Sequence, residues 1–305
     1  MPVQLTVFTP AYNRAHTLPR TYESLCRQDC RDFIWLIVDD GSADDTGKLV
    51  RGWQRRDNGF EIRYIYKENG GMHTAHNTAY ELIDTELNVC IDSDDRMADG
   101  AVAKIIRFWN SVKDSAEDLA GIIGLDADFS GKIIGKGFPK GAEYTTLSGY
   151  YAAGGKGDKK LVYRTDIMRE MPPYPVYPGE KYNSLAYKYL MCDQKYRLAV
   201  LNEVLCLVDY QPDGSTASMF RQYLANPRGF AFTRKTDMLF YPASKKRMFM
   251  TGIHYCSSSI IARNKAFIQE SPRKLLTVCC IPFGLALTEY IRLRVWIADH
   301  RSRKS

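Results

Sequence analysis

The first third of the chain repeats one pattern, in which a short apolar run is followed by a polar loop and a segment of helical periodicity. The apolar runs lie at residues 5–8, 33–38, 61–66 and 88–91, and a helix is predicted after each of them. Repeated strand–helix units imply right-handed crossovers and a mostly parallel sheet. Because parallel strands point the same way, all four polar loops must leave the same edge of that sheet.

The pattern changes after residue 111. Two short runs separated by a Ser-Gly turn predict a hairpin, and helical periodicity dominates from residue 215 onward. The predicted elements between these points are hairpin strands at residues 121–126 and 132–136, strands at residues 161–164, 198–201 and 204–210, and a helix over residues 181–191.

The composition is that of a globular protein with a core of its own. The 305 residues are 45% hydrophobic and 25% charged, which is ordinary for a folded protein. The formal net charge of +7 favours anionic partners. Basic residues cluster only near the end of the chain, a pattern that suits an anionic membrane surface and predicts no nucleic-acid partner. The clustered residues are Arg292, Arg294, Arg301, Arg303 and Lys304.

Cysteine usage and the first residues predict a cytoplasmic location. The chain has eight cysteines and no Cys-x-x-Cys pair, which is typical of buried free thiols in a reducing compartment. The N-terminal residues predict a strand and lack the charged region and long apolar core of a signal peptide.

The apolar segment at residues 275–297 has two interpretations. Its longest uncharged run, residues 275–288, is too short to span a bilayer, which takes roughly 20 apolar residues. An apolar body with a basic end is typical of a helix on a membrane surface. A buried C-terminal helix explains the same residues, and the sequence leaves both interpretations open.

The fourth apolar run leads directly into Asp92, Asp94 and Asp95. In open α/β sheets, ligands bind outside the carboxyl ends of the strands. Carboxylates at such a strand tip can share one hard cation, and Mg²⁺ or Mn²⁺ suits ligands that are all oxygen. A solvated turn before the next helix is the alternative.

The other three loops offer groups that could bind a nucleotide. Tyr12 could stack on a flat base, and the Asp39-Asp40 pair could accept hydrogen bonds from a base or a ribose. Gly70 and Gly71 would let the backbone approach a ligand closely. Each loop alone is also explained by turn or capping chemistry, but together with the acidic tip they predict a sugar-nucleotide site with a cation bridging its phosphates.

The ordered series Thr-Pro-Ala-Tyr-Asn-Arg, Val-Asp-Asp-Gly-Ser-x-Asp-Asp-Thr, Asn-Gly-Gly and Asp-Ser-Asp-Asp resembles the signature of family 2 glycosyltransferases. The resemblance covers residues 3–111 strongly and residues 112–215 loosely, and beyond that there is a general likeness to bacterial capsule and exopolysaccharide transferases. It implies a GT-A fold, an α/β architecture whose mostly parallel central sheet is flanked by helices, with a helical C-terminal extension.

The resemblance also implies roles for individual residues. Asp94 would be the main metal ligand, Asp92 would contact ribose or metal, and Asp95 would be a further ligand or a supporting residue. Where the family often has Arg or Lys after the Gly-Gly pair, this chain has His73 and His76. The implied donor-binding residues are Pro10, Tyr12, Asn13, Asp39, Asp40, Asn69, Gly71, Asp92 and Ser93.

The family inverts configuration, so it needs a base that takes a proton from the acceptor hydroxyl. Glu180, in Pro-Gly-Glu-Lys-Tyr, is the candidate, and Asp193 is the runner-up. A carboxylate at a helix N-terminus is the alternative explanation of Glu180. A late loop that closes over the diphosphate would be supplied by Gln211, Asp213 or Ser215.

The chain is therefore predicted to be an inverting, metal-dependent glycosyltransferase, hexosyl- or N-acetylhexosaminyl-. It would move a sugar from a nucleoside-diphosphate donor, with UDP favoured, to a hydroxyl of a surface-glycan or lipid-linked acceptor. The alternatives are a sugar-nucleotide nucleotidyltransferase and a catalytically silent binding protein of the same fold. The predicted organisation is a catalytic domain over residues 1–214, with a nucleotide-binding half (1–111) and an acceptor half (112–214). A helical region over residues 215–305 would touch the inner face of the cell membrane through residues 275–305.

Overall fold

A computed structural model describes residues 3–209, 219–241 and 244–302. The chain divides into two compact units. Unit 1 comprises Met1–Pro173 and Lys188–Tyr210, and unit 2 comprises Tyr174–Tyr187 and Gln211–Ser305. The segment Tyr174–Tyr187 thus groups with the C-terminal helices, and the predicted domain boundary at residue 214 stays a prediction.

Unit 1 alternates strands and helices through its first third, as the sequence predicts. Its strands are β1 (Leu5–Ala11), β2 (Phe33–Asp39), β3 (Glu61–Tyr66), β4 (Leu87–Cys90), β5 (Arg96–Met97), β6 (Leu119–Asp128), β7 (Tyr144–Thr145), β8 (Lys159–Arg164) and β9 (Arg197–Val208). Its helices are α1 (Leu18–Cys26), α2 (Thr46–Gln54), α3 (Met72–Leu82), α4 (Ala101–Val112), α5 (Leu147–Ala152), α6 (Thr165–Glu170) and, in most of its length, α7 (Ala186–Cys192).

These strands form one mixed sheet in the order β3-β2-β1-β4-β8-β6-β9-β5, with β7 paired to β9. The first four strands are parallel, with Leu5 opposite both Phe33 on β2 and Leu87 on β4. β8 is antiparallel to both β4 and β6, whereas β6 and β9 are parallel. The predicted α/β fold with a central sheet flanked by helices is confirmed, and its parallel part carries all four predicted loops at one edge.

The core lies where helices cover the parallel strands. Every residue of β1 and β2 is buried, the pattern expected of strands packed on both faces. Trp35 of β2 stacks against Trp53 of α2 at a ring-centroid separation of 5.8 Å and donates its indole N–H to Thr9 at 3.0 Å. Burial of such large aromatic rings, with their polar atoms paired, fixes the sheet edge on which the loops stand.

Only the tip of the predicted hairpin forms. An antiparallel bridge joins Ile133 to Ala127, and the backbone N–H groups of Asp128 and Ile134 donate to the carbonyls of Lys132 and Asp126 at 2.9 Å each, but residues 132–136 form no strand. All but the last residue of β6 are buried, so β6 takes the centre of the sheet between β8 and β9. The turn after it is instead held by the Asp128 carboxylate, which accepts hydrogen bonds from the backbone of Ser130 and Lys132 at 2.9 and 3.1 Å.

Two other boundaries differ from the sequence-based prediction. The helix expected over residues 181–191 begins only at Ala186. The two strands expected at residues 198–201 and 204–210 form one strand, β9. Register shifts in its pairing with β6 let this long strand continue past the irregularity.

Unit 2 is helical, as predicted. Its helices are α8 (Met219–Ala225), α9 (Pro227–Phe240), α10 (Lys245–Ile261), α11 (Phe267–Glu270) and α12 (Lys274–Ser302). α10 packs against both α9 and α12. Tyr182 stacks on Phe230 of α9 at 4.1 Å, so the segment Tyr174–Tyr187 is held to these helices by aromatic contact.

Gly121 shows how closely the central strands approach one another. Its φ of +149° is unfavourable for other residues, and a Cβ there would overlap the Val162 carbonyl oxygen of β8. Gly121→Ala should therefore lower the free energy of unfolding by about 3 kcal/mol or more, through backbone strain and overpacking. Urea unfolding followed by tryptophan fluorescence measures this loss.

The matched control is Gly131→Ala. Gly131 also has a positive φ, +84°, but nothing lies within 4 Å of its added Cβ. The free energy of unfolding should therefore fall by only about 1 kcal/mol, because the variant gains only the strain of the left-handed backbone. Equal losses at the two positions would show that strand approach does not constrain Gly121.

Candidate active site

The acidic tip after β4 presents two carboxylates outward. Asp92 and Asp94 are half-exposed, whereas Ser93 and Asp95 are 6% and 4% exposed. Burial and the neighbouring Asp92 charge raise the pKa of Asp94. Within the described part of the chain, the Asp94 side chain has no hydrogen-bond partner, and Asp92 receives only a weak Sγ contact from Cys90 at 3.7 Å. These two carboxylates are therefore free to bind a ligand.

Asp95 faces the interior and links the tip to the end of β9. Its Oδ1 accepts a hydrogen bond from the Asp209 backbone N–H at 3.2 Å, and its Oδ2 lies 3.8 Å from the Cys206 sulfur. Burial raises the pKa of Asp95 to about 7. Asp209 in turn pairs with Arg20 at 2.8 Å. Asp95 thus connects the acidic tip to the end of β9. Its predicted role as a further metal ligand stays a prediction.

The tip fits a cation that takes part of its coordination from a substrate. Among residues 3–209, 219–241 and 244–302, no three His, Cys, Asp or Glu side chains converge as a complete metal site. Mg²⁺ is commonly held by one or two carboxylates, with waters and substrate phosphates as its other ligands. The two outward carboxylates, Asp92 and Asp94, match that smaller set.

A buried carboxylate, Asp40, organises the loop between β3 and α3. It is 2% exposed and accepts hydrogen bonds from Lys67 Nζ at 2.6 Å, Gly70 N at 3.0 Å and Gly71 N at 2.7 Å. Asn69 adds a bond from its side-chain amide to the Asp40 carbonyl at 2.7 Å. Asp40 thus fixes the conformation of the Asn-Gly-Gly loop from below.

Backbone geometry requires glycine at two positions of these loops. Gly41 has a φ of +83°, and a Cβ there would lie 2.7 Å from the Asn69 backbone nitrogen of the neighbouring loop. Gly71 has a φ of +95° at the start of α3, a conformation that favours glycine. Both glycines are thus explained without a ligand, and the predicted diphosphate contact of Asn69 and Gly71 stays a prediction.

Asp39 is held as firmly as Asp40. It is 1% exposed, and its carboxylate accepts hydrogen bonds from the Ser42 backbone N–H at 2.8 Å and from the Tyr64 hydroxyl at 2.6 Å. Burial and the bond to Asp39 raise the pKa of Tyr64, so this hydroxyl remains a donor. A base hydrogen bond would use the remaining lone pairs of the Asp39 carboxylate.

The loop after β1 is bound to the loop after β2. Asn13 has a left-handed φ of +54°, donates its backbone N–H to Ser42 Oγ at 2.8 Å and accepts a bond from the Ala43 N–H at 2.8 Å. The neighbouring Tyr12 is 48% exposed, as a base-stacking residue must be, whereas Pro10 is buried within β1. Asn13 therefore spaces the two loops between which a base would lie.

Two lysines at this edge were missed by the sequence reasoning. Lys67 bonds Asp40 and the Thr74 hydroxyl at 2.6 and 2.8 Å. Lys160 donates to the Cys90 carbonyl beneath the acidic tip at 3.3 Å; the facing Cys206 and Asp126 overcome the effect of burial and raise its pKa. Only the position of Lys67 at the end of a predicted strand could have signalled its role.

The two histidines considered as phosphate contacts are buried. His73 is 2% exposed and His76 is not exposed at all. Burial lowers the pKa of His76 to about 3, so its ring is neutral and packs edge-on against Phe8 at 5.0 Å. These contacts favour a structural role for both rings.

Both candidate bases accept hydrogen bonds at helix N-termini. Glu180, in unit 2, accepts bonds from Arg228 Nε and Gly229 N, each at 2.9 Å, at the start of α9. Asp193, in unit 1, accepts a bond from Ser148 N at 2.7 Å at the start of α5, and burial raises its pKa. The late-loop residues Gln211, Asp213 and Ser215 lie outside the described residues.

Residues 6–120 match the model of glycosyl transferase family 2. This match agrees with the resemblance expected from the four loops, all of which lie within the matched residues.

Among curated proteins, GalNAc(5)-diNAcBac-PP-undecaprenol beta-1,3-glucosyltransferase of Campylobacter jejuni is 27% identical over 147 residues, 46% of this chain and 45% of that protein. Chondroitin synthase of Escherichia coli is 34% identical over 98 residues, 32% of this chain and 14% of that protein. The chain spans less than half the length of these relatives. Their names confirm the predicted enzyme class.

Solved structures confirm the GT-A fold. S. aureus TarS 1–349 in complex with UDP-GlcNAc gives a TM-score of 0.60 at 16% identity, covering 95% of this chain and 92% of that one. A mannosyltransferase of Pyrobaculum calidifontis in complex with GDP-Man and Mn²⁺ gives 0.54 at 16% identity, covering 96% and 82%. At this identity the likeness concerns the fold alone.

The geometry separates structural from ligand-binding carboxylates, and stability measurements can test this. Asp40→Asn replaces an acceptor of backbone N–H groups and the partner of Lys67. It should lower the free energy of unfolding by about 2–3 kcal/mol, because Lys67 loses its counter-charge and the amide nitrogen of Asn cannot accept the bonds made by the second carboxylate oxygen.

Asp92→Asn is the matched change at a half-exposed carboxylate. It should alter the free energy of unfolding by less than about 0.5 kcal/mol. The comparison is made in urea without added metal. A larger loss for Asp92→Asn than for Asp40→Asn would reverse this assignment.

Proposed function

We propose that this protein is an inverting, metal-dependent glycosyltransferase that uses a nucleoside-diphosphate sugar. The observation that carries the proposal is the pair Asp92 and Asp94, which are outward-facing carboxylates at the tip of β4. The neighbouring Asp39, Asp40 and Asp95 all accept hydrogen bonds from the protein. Two carboxylates that the described protein groups leave available, beside three that already accept hydrogen bonds, favour binding of a cation and a phosphorylated ligand.

The donor we favour is a UDP-sugar. The exposed ring of Tyr12 offers a stacking surface for a base, and Asp39 lies at the end of the adjacent strand β2. UDP-GlcNAc bound by TarS and GDP-Man bound by the mannosyltransferase are nucleotide sugars held on the same fold. The family resemblance favours uracil between these two bases.

The acceptor we favour is a hydroxyl of a glycan or of a lipid-linked saccharide. The undecaprenol-linked acceptor in the name of the Campylobacter relative supports a lipid-linked substrate. Such an acceptor would be met at the inner face of the cell membrane, which agrees with the proposed cytoplasmic location and with membrane contact through residues 275–305.

Each group of the site has a distinct task in this proposal. Asp94, with Asp92 beside it, would hold Mn²⁺ or Mg²⁺. The bound cation would neutralise the charge that develops on the leaving diphosphate. Asp40 keeps the Asn-Gly-Gly loop in place, and Asp95 and Lys160 hold the tip in position. A carboxylate base would take the proton of the acceptor hydroxyl during in-line attack on the anomeric carbon.

Glu180 and Asp193 are both retained as candidates for that base. Glu180 pairs with Arg228 at 2.9 Å at the start of α9. The raised pKa of Asp193 makes it the stronger base once ionised. Nucleotidyl transfer and a silent binding role are not favoured, because the matched family and the named relatives are glycosyltransferases.

Asp94→Asn tests the metal assignment. We expect Mn²⁺-dependent release of nucleoside diphosphate from a sugar-nucleotide panel to fall at least 100-fold, because a neutral amide binds the cation poorly. Donor-induced stabilisation against thermal unfolding should fall with it.

Asp99→Asn is the control, since Asp99 is exposed and pairs with Arg27. Unchanged turnover is expected for this variant. Full activity of Asp94→Asn with Mn²⁺ would exclude Asp94 as the metal ligand.

Glu180→Gln and Asp193→Asn distinguish the two bases. The variant that removes the base should show a transfer rate lower by roughly 10²–10⁴-fold and should retain the donor affinity of the unmodified protein. Since each carboxylate also accepts bonds at a helix start, each variant is checked by urea unfolding. Rescue of transfer by added azide or formate would mark the base. Loss of donor affinity in a folded variant would instead indicate a binding role.

A further inference from the structure

Helix α12 buries mainly small residues and exposes many of its large apolar ones. Its buried side consists mostly of small or hydroxyl-bearing residues, spaced three or four apart. They are Thr277, Cys280, Gly284, Thr288 and Ile291. Only the last is a large apolar residue, whereas a helix of an ordinary soluble domain buries its large apolar side chains. Leu276, Ile281 and Leu287 are partly buried at the edges of this contact, and most of the other large apolar residues of the helix face outward.

The buried side of α12 meets α10 at close range. An added Cβ at Gly284 would lie 2.5 Å from Cys256 Cβ, and one at Gly252 would lie 2.8 Å from Cys280 Sγ. Ser257 and Thr288 share a hydrogen bond of 3.0 Å between their hydroxyls. Because small residues make this contact, most of the large exposed side chains of α12 have no partner on α10.

The outward side of α12 is apolar over most of its length. Leu275 is 80% exposed, Phe283 52%, Leu293 52% and Trp296 57%. Val278 and Leu285 lie on the same side and are also exposed. The helix is long and apolar enough to cross a membrane, with only 28% of its apolar window buried. An exposed apolar strip of this extent indicates a partner that is itself apolar.

Basic residues lie at both ends of this strip. Lys245, Arg273 and Lys274 surround a cavity of about 600 Å³ whose floor includes Met248 and Leu275. The second basic group, Arg292 and Arg294, is exposed on the last turns of α12. A cationic border around an apolar strip matches the anionic headgroups and acyl chains of one membrane leaflet.

We propose that α12 lies in the plane of an anionic membrane surface, with its outward side inserted into one leaflet and its basic ends at the headgroups. The inference deepens the membrane contact that belongs to the proposed function. It decides between the two interpretations that the sequence leaves open, since the helix is neither buried nor, by the next argument, membrane-spanning.

The charges along α12 oppose a membrane-crossing orientation. Although the length and mean hydropathy of the helix would permit a crossing, its longest uncharged run, residues 275–288, is shorter than the roughly 20 apolar residues that a bilayer takes. Glu289 and Arg292 pair at 2.7 Å on the exposed part of the helix, and a crossing helix would carry this pair into hydrocarbon, where charged side chains are costly. In an in-plane helix the pair can reach the headgroups.

Vesicle flotation with the full-length protein tests the surface. We expect binding to vesicles of phosphatidylglycerol and phosphatidylethanolamine, and at least tenfold weaker binding to phosphatidylcholine alone. Binding to the anionic vesicles should weaken as salt is raised. Equal binding to both vesicle types, or none to either, would overturn the proposal.

A pair of matched leucines separates the helix face from general hydrophobicity. Leu293→Asp should weaken vesicle binding at least tenfold, whereas Leu239→Asp should leave it unchanged. The two side chains are 52% and 53% exposed, and Leu239 lies on α9. Lys274→Gln should weaken binding roughly fivefold, the contribution of one surface cation. Equal losses for the two leucine variants would contradict the assignment.

Cys279 reports the depth of the helix, because it is an exposed thiol on the outward side. A polarity-sensitive dye on Cys279 should shift to the blue with anionic vesicles. Shallow spin-labelled lipids should quench it more strongly than deep ones. Stronger quenching by deep labels would indicate a crossing helix and overturn the in-plane assignment. A Cys279→Ser protein gives the background from other cysteines.

Sedimentation velocity without vesicles tests the alternative that a second copy of the chain covers the apolar strip. A dimer that Leu293→Asp dissociates, together with no vesicle binding, would assign the strip to self-association. All these measurements report vesicle binding or self-association, so their results can be interpreted even if the protein shows no turnover of a donor. Conversely, donor turnover without vesicle binding would leave the glycosyltransferase proposal intact and reject this one.

Discussion

The candidate site depends on one buried carboxylate. Asp40 receives Lys67 and the backbone N–H groups of Gly70 and Gly71, so it joins the end of β2 to the loop before α3. Without it, the partly exposed Lys67 would lose its counter-charge and the loop N–H groups would lack their acceptor, which costs free energy. This ion pair explains why two glycines and an amide follow β3: the loop has to fold around the carboxylate before it can present anything to a ligand.

Carboxylates of identical chemistry divide into two groups at this sheet edge. Asp39, Asp40 and Asp95 are buried and accept bonds from the protein, while Asp92 and Asp94 face outward. The division follows local contacts, because Asp39, Asp40 and Asp95 accept hydrogen bonds from backbone N–H groups, whereas no described backbone N–H bonds the Asp92 or Asp94 carboxylate. A buried carboxylate that already accepts hydrogen bonds from the protein keeps the loops in place. An exposed carboxylate beside a second negative charge is stabilised most by binding a cation.

Strand periodicity predicted most of unit 1, and its failures have physical causes. β1 to β4 and the helices between them form as expected because each apolar run is local and bounded by a polar loop. The second strand of the predicted hairpin does not form because β6 lies in the middle of the sheet, where β8 and β9 occupy both of its edges. Lys160 was missed because its importance depends on antiparallel pairing of β8 with β4, a contact between distant parts of the chain.

The same reasoning explains why α12 could not be interpreted from sequence alone. Apolar residues occur all around this helix, so periodicity identifies no inner side. The structure resolves the ambiguity through size, because Gly284 and Thr288 are the residues that allow α10 to approach. Because the small residues make the contact with α10, large residues such as Leu275, Leu285 and Leu293 are left largely exposed. Since water disfavours such a strip, the packing that stabilises unit 2 also produces the surface for which a lipid partner is proposed.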